Sequence, residues 1–411
     1  MDNVPRHNAP VRLAILGATG SIGENTLDVL RRHAKHFEVS LLTAHNNTGK
    51  LATLAAEWDP RHVAVSDPAS FSNLKKHVHK AGARQARLHA GMPSISDLCA
   101  SADVDVVVAG MVGAAGVAPV LAAAKAGKTI LLANKESLVM AGGIVMRAAR
   151  RHGACIIPLD SEHNAIYQCL PDNYRCGQTP RSVRKLILTA SGGPFWRMPT
   201  TDFDKITPEQ ACNHPKWRMG RKISVDSATL MNKGLELIEA HWLFKLPSAK
   251  LDVHVHPQSL VHSLVAFEDG SLLAQLGEPD MRIPIAYGLA QCLPQDGSIG
   301  SRIGSGANLL DLLSAGSLTF CPPDMQRFPA LELARSAIDA GGTAAAVLNA
   351  SNEEAVCAFL QRRIGFLDIF RVNAAVMEGI RHQEVESFEH LQQVDVEART
   401  LAHDEIQKNA R

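Results

Sequence analysis

Aromatic residues make up only 5% of the 411-residue chain, and its charges nearly cancel, with 42 Lys plus Arg against 41 Asp plus Glu. Without an excess of one sign there is no global field to attract nucleic acid or an anionic membrane, so any anion site must be local. The eight cysteines are scattered and include no Cys-x-x-Cys pair. That usage suits reduced thiols and supplies neither a disulfide framework nor a zinc motif. Met1–Pro10 is polar and lacks an apolar segment, from which cytoplasmic placement is expected. The longest uncharged run, from Val106 to Ala124, is broken by Gly110, Gly113, Gly116 and Pro119. A buried strand, a glycine turn and an Ala-rich helix are expected there rather than a membrane span.

What is present is the composition of a soluble globular protein, 46% apolar and 20% charged, long enough for two or three domains at roughly 150 residues each. Short aliphatic runs alternate with helical stretches in the first third. Strands are predicted at Val11–Leu16, Val39–Thr43, Val104–Ala109, Thr129–Ala133 and Cys155–Pro158, with helices over Ile22–His33, Val117–Ala126 and Ser137–His152. Continuous Val/Ile/Leu runs separated by helices indicate parallel strands buried on both faces, hence an α/β, Rossmann-like doubly wound sheet. After Pro158 the rhythm changes to an α+β region. Strands are predicted at Val183–Ala190 and Val253–Val255, a hairpin at Val261–Phe267 with Ser271–Leu276, and helices at Lys233–Phe244 and Met281–Gln291. A Gly/Pro/Ser-rich connection follows. The rest reads as a helical bundle through Leu331–Ala340, Ala344–Arg362, Leu367–Gly379 and Val394–Asn409.

Gly17-Ala-Thr-Gly20-Ser-Ile-Gly23 follows the first strand and opens a helix. Glycines there permit a tight turn and close approach of a pyrophosphate, and the helix N-terminus favours its charge. The plain alternative is an ordinary strand-to-helix turn. About 20 residues beyond, where an NAD enzyme places an acid on the ribose, the chain reads Thr43-Ala44-His45-Asn46-Asn47, with Lys50 nearby. A loop without acid accommodates a 2′-phosphate, which favours NADP. The second glycine set, Gly110, Gly113 and Gly116, reads as close backbone approach or helix–sheet packing.

Asp160-Ser161-Glu162-His163-Asn164 follows a buried strand, where α/β domains place their sites. Two converging carboxylates require a metal, a cation or a shared proton, and all-oxygen ligation suits Mg²⁺ or Mn²⁺. Helix capping by Asp160 or Ser161 is the competing reading. A third acid, Glu236, lies three residues after Lys233; the pair is either a surface helical ion pair or part of a site with Ser227 and Asn232 on a phosphate. Ser191-Gly192-Gly193-Pro194 after a strand can form an anion nest or a plain turn. His214-Pro215-Lys216-Trp217 is a loop whose Trp could close over a ligand, and His254-Val255-His256 reads as structural histidines.

These segments, taken in order, resemble the 1-deoxy-D-xylulose 5-phosphate reductoisomerase family. The resemblance rests on Ile15–Gly23, Leu131–Ser137, Asp160–Asn164, Ser191–Phe195, Gly220–Thr229, Asn232–Glu236, His256–Ser259, Leu276–Met281 and Leu348–Glu353. It implies an NADPH enzyme of isoprenoid synthesis that rearranges 1-deoxy-D-xylulose 5-phosphate and reduces it to 2-C-methyl-D-erythritol 4-phosphate. Residues 1–158 would bind NADPH, 159–295 would form a catalytic and dimerisation domain with a flap, 296–325 a linker, and 326–411 a helical domain. Asp160, Glu162 and Glu236 would hold one Mg²⁺ or Mn²⁺. Lys135 and Ser161 would contact the polar substrate backbone, and Ser191, Ser227, Asn232, Lys233 and His214 its phosphate. Trp217 and Met219 would belong to the flap. Thr19, Gly20, Ser21, Ile22, Ala44, Asn46, Asn47, Asn134, Glu136 and Gly220 would bind the cofactor. One position departs, because the family often has Lys where this chain has Asn46, which weakens the 2′-phosphate contact. The implied partners are a phosphorylated sugar and a second copy of the chain, without nucleic acid or membrane. The acid–base group stays open among His163, Lys135 and a metal-bound water, and another NADP-dependent aldehyde dehydrogenase or an NADP sensor are the competing functions.

Overall fold

A computed structural model describes residues 9–83, 85–214, 220–294 and 301–409. The chain forms two compact units, the first comprising residues 1–137, 145–164 and 280–308, the second residues 138–144, 165–279 and 309–411.

The first unit is built on seven parallel strands: β1 (Val11–Leu16), β2 (Phe37–Ala44), β3 (His62–Val65), β4 (Arg87–Ala90), β5 (Val106–Ala109), β6 (Thr129–Leu132) and β7 (Cys155–Pro158). Their spatial order is β4-β3-β2-β1-β5-β6-β7. Helices supply the crossovers that parallel strands require, so both faces are covered and the central strands are mostly apolar. Leu13, Ala14, Ile15, Leu16, Val107 and Val108 are fully buried. The order reverses between β1 and β5, and the chain leaves both strands through glycine there, the position at which open α/β sheets bind ligands. The Arg282–Ala290 helix packs on this unit, with Gly288 close against Leu159 and Leu131.

The second unit carries a four-stranded sheet of order β11-β10-β8-β9, comprising β8 (Val183–Ala190), β9 (Leu251–Val255), β10 (Val261–Phe267) and β11 (Leu272–Leu276). The hairpin β10–β11 turns at Asp269-Gly270, where Gly270 has φ +90° and Asp269 accepts from the Ser271 amide at 2.9 Å. Helices Ala330–Ala340, Ala344–Leu360, Phe366–Gly379 and Phe388–Lys408 pack together as the expected bundle. Its centre is aromatic, with Phe203, Phe359 and Phe370 each within 5.8 Å of the Phe366 ring.

Three differences from the sequence reading have local causes. The helix expected over Ser137–His152 is two helices, Glu136–Val139 and Gly142–His152. Gly142 follows that break because a Cβ there would meet the Trp242 ring at 2.3 Å. Strands β3 and β4 lie outside the sequence reading because His and Arg interrupt the apolar run in His62-Val-Ala-Val65 and Arg87-Leu-His-Ala90. The last helix starts at Phe388 rather than Val394, where Ser387 accepts from the His390 amide at 3.1 Å.

Candidate functional site

In the first unit the glycine segment is a turn with almost no spare space. Gly17 has φ +73°, and a Cβ there would sit 2.8 Å from the Gly110 carbonyl; one on Gly23 would lie 2.4 Å from Ala18 Cα. Thr43 Oγ1 accepts from the Gly17 amide at 3.0 Å, fixing the turn to β2. The Ser21–Arg32 helix then begins at Gly20 without a side-chain cap, which leaves Thr19, Gly20, Ser21 and Ile22 at an open, positive helix end. Gly110 is pressed against the Leu16 carbonyl, so the second glycine set does serve close approach.

The loop after β2 presents exposed His45, Asn46 and Asn47, while Ala44 is buried at the strand end. Asn47 accepts from the Lys50 amide at 3.3 Å and caps the Thr48–Trp58 helix. Lys50 Nζ reaches across to donate to the Thr19 carbonyl at 3.0 Å and pairs with Glu24, tying this loop to the glycine turn. Asn134 and Glu136 are buried next to the second glycine set: Asn134 Nδ2 is 2.8 Å from the Met111 carbonyl and 2.8 Å from Glu136 Oε2.

At the end of β7, Asp160 pairs with Lys135 Nζ. Burial acts to raise the Asp160 carboxyl, but Lys135 and then His163 outweigh it and hold the group well below the usual carboxylate range. Ser161 Oγ donates to Glu162 at 2.5 Å, and the Ser161–Cys169 helix starts directly after Asp160. Asp160 and Glu162 thus sit at the anion-favouring start of this helix.

The second unit collects the phosphate candidates. The Arg221–Ala228 helix, capped by Gly220, leads through Leu230 (φ +60°) into the Met231–Phe244 helix. A leucine in the left-handed region costs about 1–2 kcal/mol, a strain that marks a functional corner more often than a silent one. Just inside the second helix, Lys233 Nζ donates to Glu236 Oε2 at 2.5 Å and Asn232 Nδ2 to Glu236 Oε1 at 2.6 Å. The reading of Lys233–Glu236 as a surface ion pair is corrected here, since their side chains are only 4% and 2% exposed. An ion pair so deeply buried is poor value for stability, because desolvation offsets the attraction.

Ser191 Oγ lies 2.9 Å from His214 Nε2 and accepts from the Gly193 amide at 3.2 Å. Gly192 and Gly193 have φ +84° and +68°, and a Cβ on Gly193 would be 2.7 Å from the Ser227 carbonyl. Ser191, His214 and Ser227 are therefore brought together. Burial pushes His214 below the ordinary histidine value, so it is neutral near pH 7. His256 is structural: Nδ1 bonds the Thr319 carbonyl at 2.8 Å and Nε2 the Leu260 amide at 3.2 Å. Trp217 and Met219 lie outside the described residues. Sequence reasoning missed Thr43 and the Lys50–Thr19 link, for which no spacing rule gives a signal.

A tight glycine turn at the switch point of a doubly wound parallel sheet places the chain in the Rossmann-like class of α/β proteins. Family models described as 1-deoxy-D-xylulose 5-phosphate reductoisomerase, its C-terminal domain, and the DXP reductoisomerase C-terminal domain match residues 13–142, 156–244 and 276–401. The chain belongs to the 1-deoxy-D-xylulose 5-phosphate reductoisomerase family. It is 53% identical over 394 residues to the 1-deoxy-D-xylulose 5-phosphate reductoisomerase of Cupriavidus pinatubonensis, covering 95% of this chain and 96% of the relative. Identity to that of Cellvibrio japonicus is 50%, over 96% and 98% of the two chains. Among solved structures, the Zymomonas mobilis enzyme in complex with NADPH superposes with a TM-score of 0.87 at 42% identity, covering 97% of this chain and 99% of that one. A DOX-P reductoisomerase in complex with NADPH, fosmidomycin and magnesium gives 0.88 at 44%, over 97% and 98%.

Proposed function

We propose that the protein is an NADPH-dependent enzyme that converts 1-deoxy-D-xylulose 5-phosphate to 2-C-methyl-D-erythritol 4-phosphate with Mg²⁺ or Mn²⁺. Family membership over nearly the whole chain carries this reading. The residues present suit both groups. The Gly17–Gly23 turn opens an uncapped helix for a pyrophosphate. Asp160, Glu162 and Glu236 offer only oxygen, the donor set a hard divalent ion prefers. Bound metal supplies Lewis acidity and NADPH the hydride.

In this reading Thr19, Gly20, Ser21, Ile22, Ala44, Asn46, Asn47, Asn134, Glu136 and Gly220 bind or shape the cofactor site. Ser191, Ser227, Asn232, Lys233 and His214 take the phosphate at the start of the Met231–Phe244 helix, where its dipole favours an anion. Held there, the substrate is oriented by a group that does not react, which reserves binding energy for rearrangement. Lys135 Nζ and Ser161 Oγ orient the hydroxyls. Rearrangement by retro-aldol cleavage and re-addition conserves all atoms. One hydride and one solvent proton then reduce the resulting aldehyde as NADPH becomes NADP⁺.

By role, residues 1–158 bind NADPH, 159–295 hold catalysis, flap and dimer contacts, 296–325 link, and 326–411 form the helical domain. No described helix is long and apolar enough to cross a membrane; cytoplasmic placement is part of the same proposal. Exposed Leu272 and Leu273 on the end strand β11 support a homodimer. The test is NADPH consumption with 1-deoxy-D-xylulose 5-phosphate. Oxidation that stops with a chelator and returns with Mg²⁺ or Mn²⁺ is expected. Substrate-dependent oxidation indifferent to metal would remove the acidic residues from the reading, and no oxidation by a protein that still binds NADPH would favour a sensor.

A further inference from the structure

The segment Leu348-Asn-Ala-Ser-Asn-Glu353 takes no part in the chemistry so far, yet it carries a buried polar chain directed at the phosphate pocket. Asp226, one residue before Ser227, is 1% exposed. Its Oδ1 accepts from Asn352 Nδ2 at 2.8 Å, and its Oδ2 lies 2.9 Å from Lys222 Nζ one turn earlier. Asn352 Oδ1 accepts in turn from Asn373 Nδ2 at 3.1 Å. Asn352 and Asn373 are fully buried, on the Ala344–Leu360 and Phe366–Gly379 helices. The carboxylate is thus reached from a helix 126 positions away, and a third helix holds Asn352 from behind.

We propose that Asn352 is a positioning residue for substrate phosphate, acting through Asp226 to set the rotation of the Arg221–Ala228 helix and so the placement of Ser227; this rests on the phosphate-pocket reading above. A buried carboxylate is poor stabilisation compared with apolar packing, but a buried hydrogen-bond chain is directional and selects one arrangement; this one ends at Asn373, whose Oδ1 has no partner among the described residues. Neighbouring helix residues point about 100° apart, so fixing Asp226 toward the bundle fixes where Ser227 points. There is no slack on the other side. A Cβ on Gly193 would meet the Ser227 carbonyl at 2.7 Å and Ala228 Cα at 3.0 Å, so the Ser191 loop is fitted to this same backbone. A turn of the helix displaces Ser227 and the Ser191–His214 pair together.

The test compares Asn352→Leu, Asp226→Asn and the apolar double variant Asp226→Leu/Asn352→Leu with the wild-type chain. Asn352→Leu is expected to raise KM for 1-deoxy-D-xylulose 5-phosphate, and Kd for inorganic phosphate, by about tenfold or more, with kcat within about threefold and NADPH affinity unchanged. Asp226→Asn keeps an acceptor for Asn352 and is expected to stay within about threefold of wild type. The double variant removes the buried charge. It should melt no lower than Asn352→Leu yet keep the raised phosphate Kd, which a merely stabilising role cannot produce. Unchanged KM and phosphate Kd in folded Asn352→Leu would overturn the proposal, as would recovery of phosphate binding in the double variant. If wild type oxidises no NADPH with this substrate, the activity reading falls and the phosphate titration alone decides the positioning role.

Discussion

Glu236 is buried among Lys233 and Asn232, with both carboxylate oxygens engaged by side chains of its own helix. Replacing it by Gln keeps the shape and removes the charge. In the proposed function, Glu236→Gln should lower kcat by about a hundredfold or more with NADPH affinity within twofold, because the cofactor turn belongs to the first unit. Parallel loss of turnover and of NADPH binding would contradict the assignment. The same scale separates the thiols. Burial pushes Cys99 up to about 12, whereas Cys357 is exposed. Alkylation at pH 8 followed by peptide mass mapping should label Cys357 in the folded protein and leave Cys99 unlabelled until denaturant is added. Early labelling of Cys99 would mean that β5 and its covering helices open far more often than their packing suggests.

The elements differ in how far the sequence reveals them. Strands β1 and β5 through β8 are legible because their aliphatic runs are buried, and the Gly17–Gly23 turn because Gly17 and Gly23 are each required by a close neighbour. Strands β3 and β4 are not, since Arg87 and His89 on the edge strand β4, and His62 in β3 paired with it, break the aliphatic run. At the site, residue types and order were readable at Asp160, Glu162, Lys233 and Glu236. The depth of the Lys233–Glu236 pair was not, because spacing of three residues is the same on a wet face and in a core. Nor was the link from Lys50 to Thr19, a contact 31 residues apart that only folding creates. The glycine turn gives the test for this scale. In Gly23→Ala the new methyl would lie 2.4 Å from Ala18 Cα, so the turn and the helix start must separate. NADPH Kd should rise by about tenfold or more with a lower Tm, while phosphate binding in the second unit is retained. Unaltered NADPH affinity would remove this turn from the cofactor site.

For the whole molecule, the net charge of +1 conceals many local pairs whose carboxylates must stay ionised. Burial works against ionisation of Asp105, Asp252, Asp280 and Glu354, but Arg12, Lys185, Arg282 and Arg399 respectively prevail and depress each acid. Acids depressed in the folded state take up protons more readily when unfolded. Their stabilisation is complete above the unfolded values, about pH 4, and is lost as pH falls through the folded ones. Urea midpoints should be flat with respect to these groups down to about pH 5 and drop steeply below about pH 4. A midpoint that rises on acidification would mean that these pairs are absent in solution. Assembly is the other property of this scale. β11 ends its sheet, so its outer edge pairs with no strand among the described residues, and Leu272 and Leu273 are 52% and 48% exposed. Bare apolar edges invite pairing, and a second copy can close this one by a two-fold axis that satisfies both edges at once. If the proposed homodimer forms through β11, Leu273→Lys places a charge in that seam and should shift the mass in sedimentation from twice 44.2 kDa to 44.2 kDa, with NADPH affinity preserved. A mass that stays at the dimer value would move the interface away from β11.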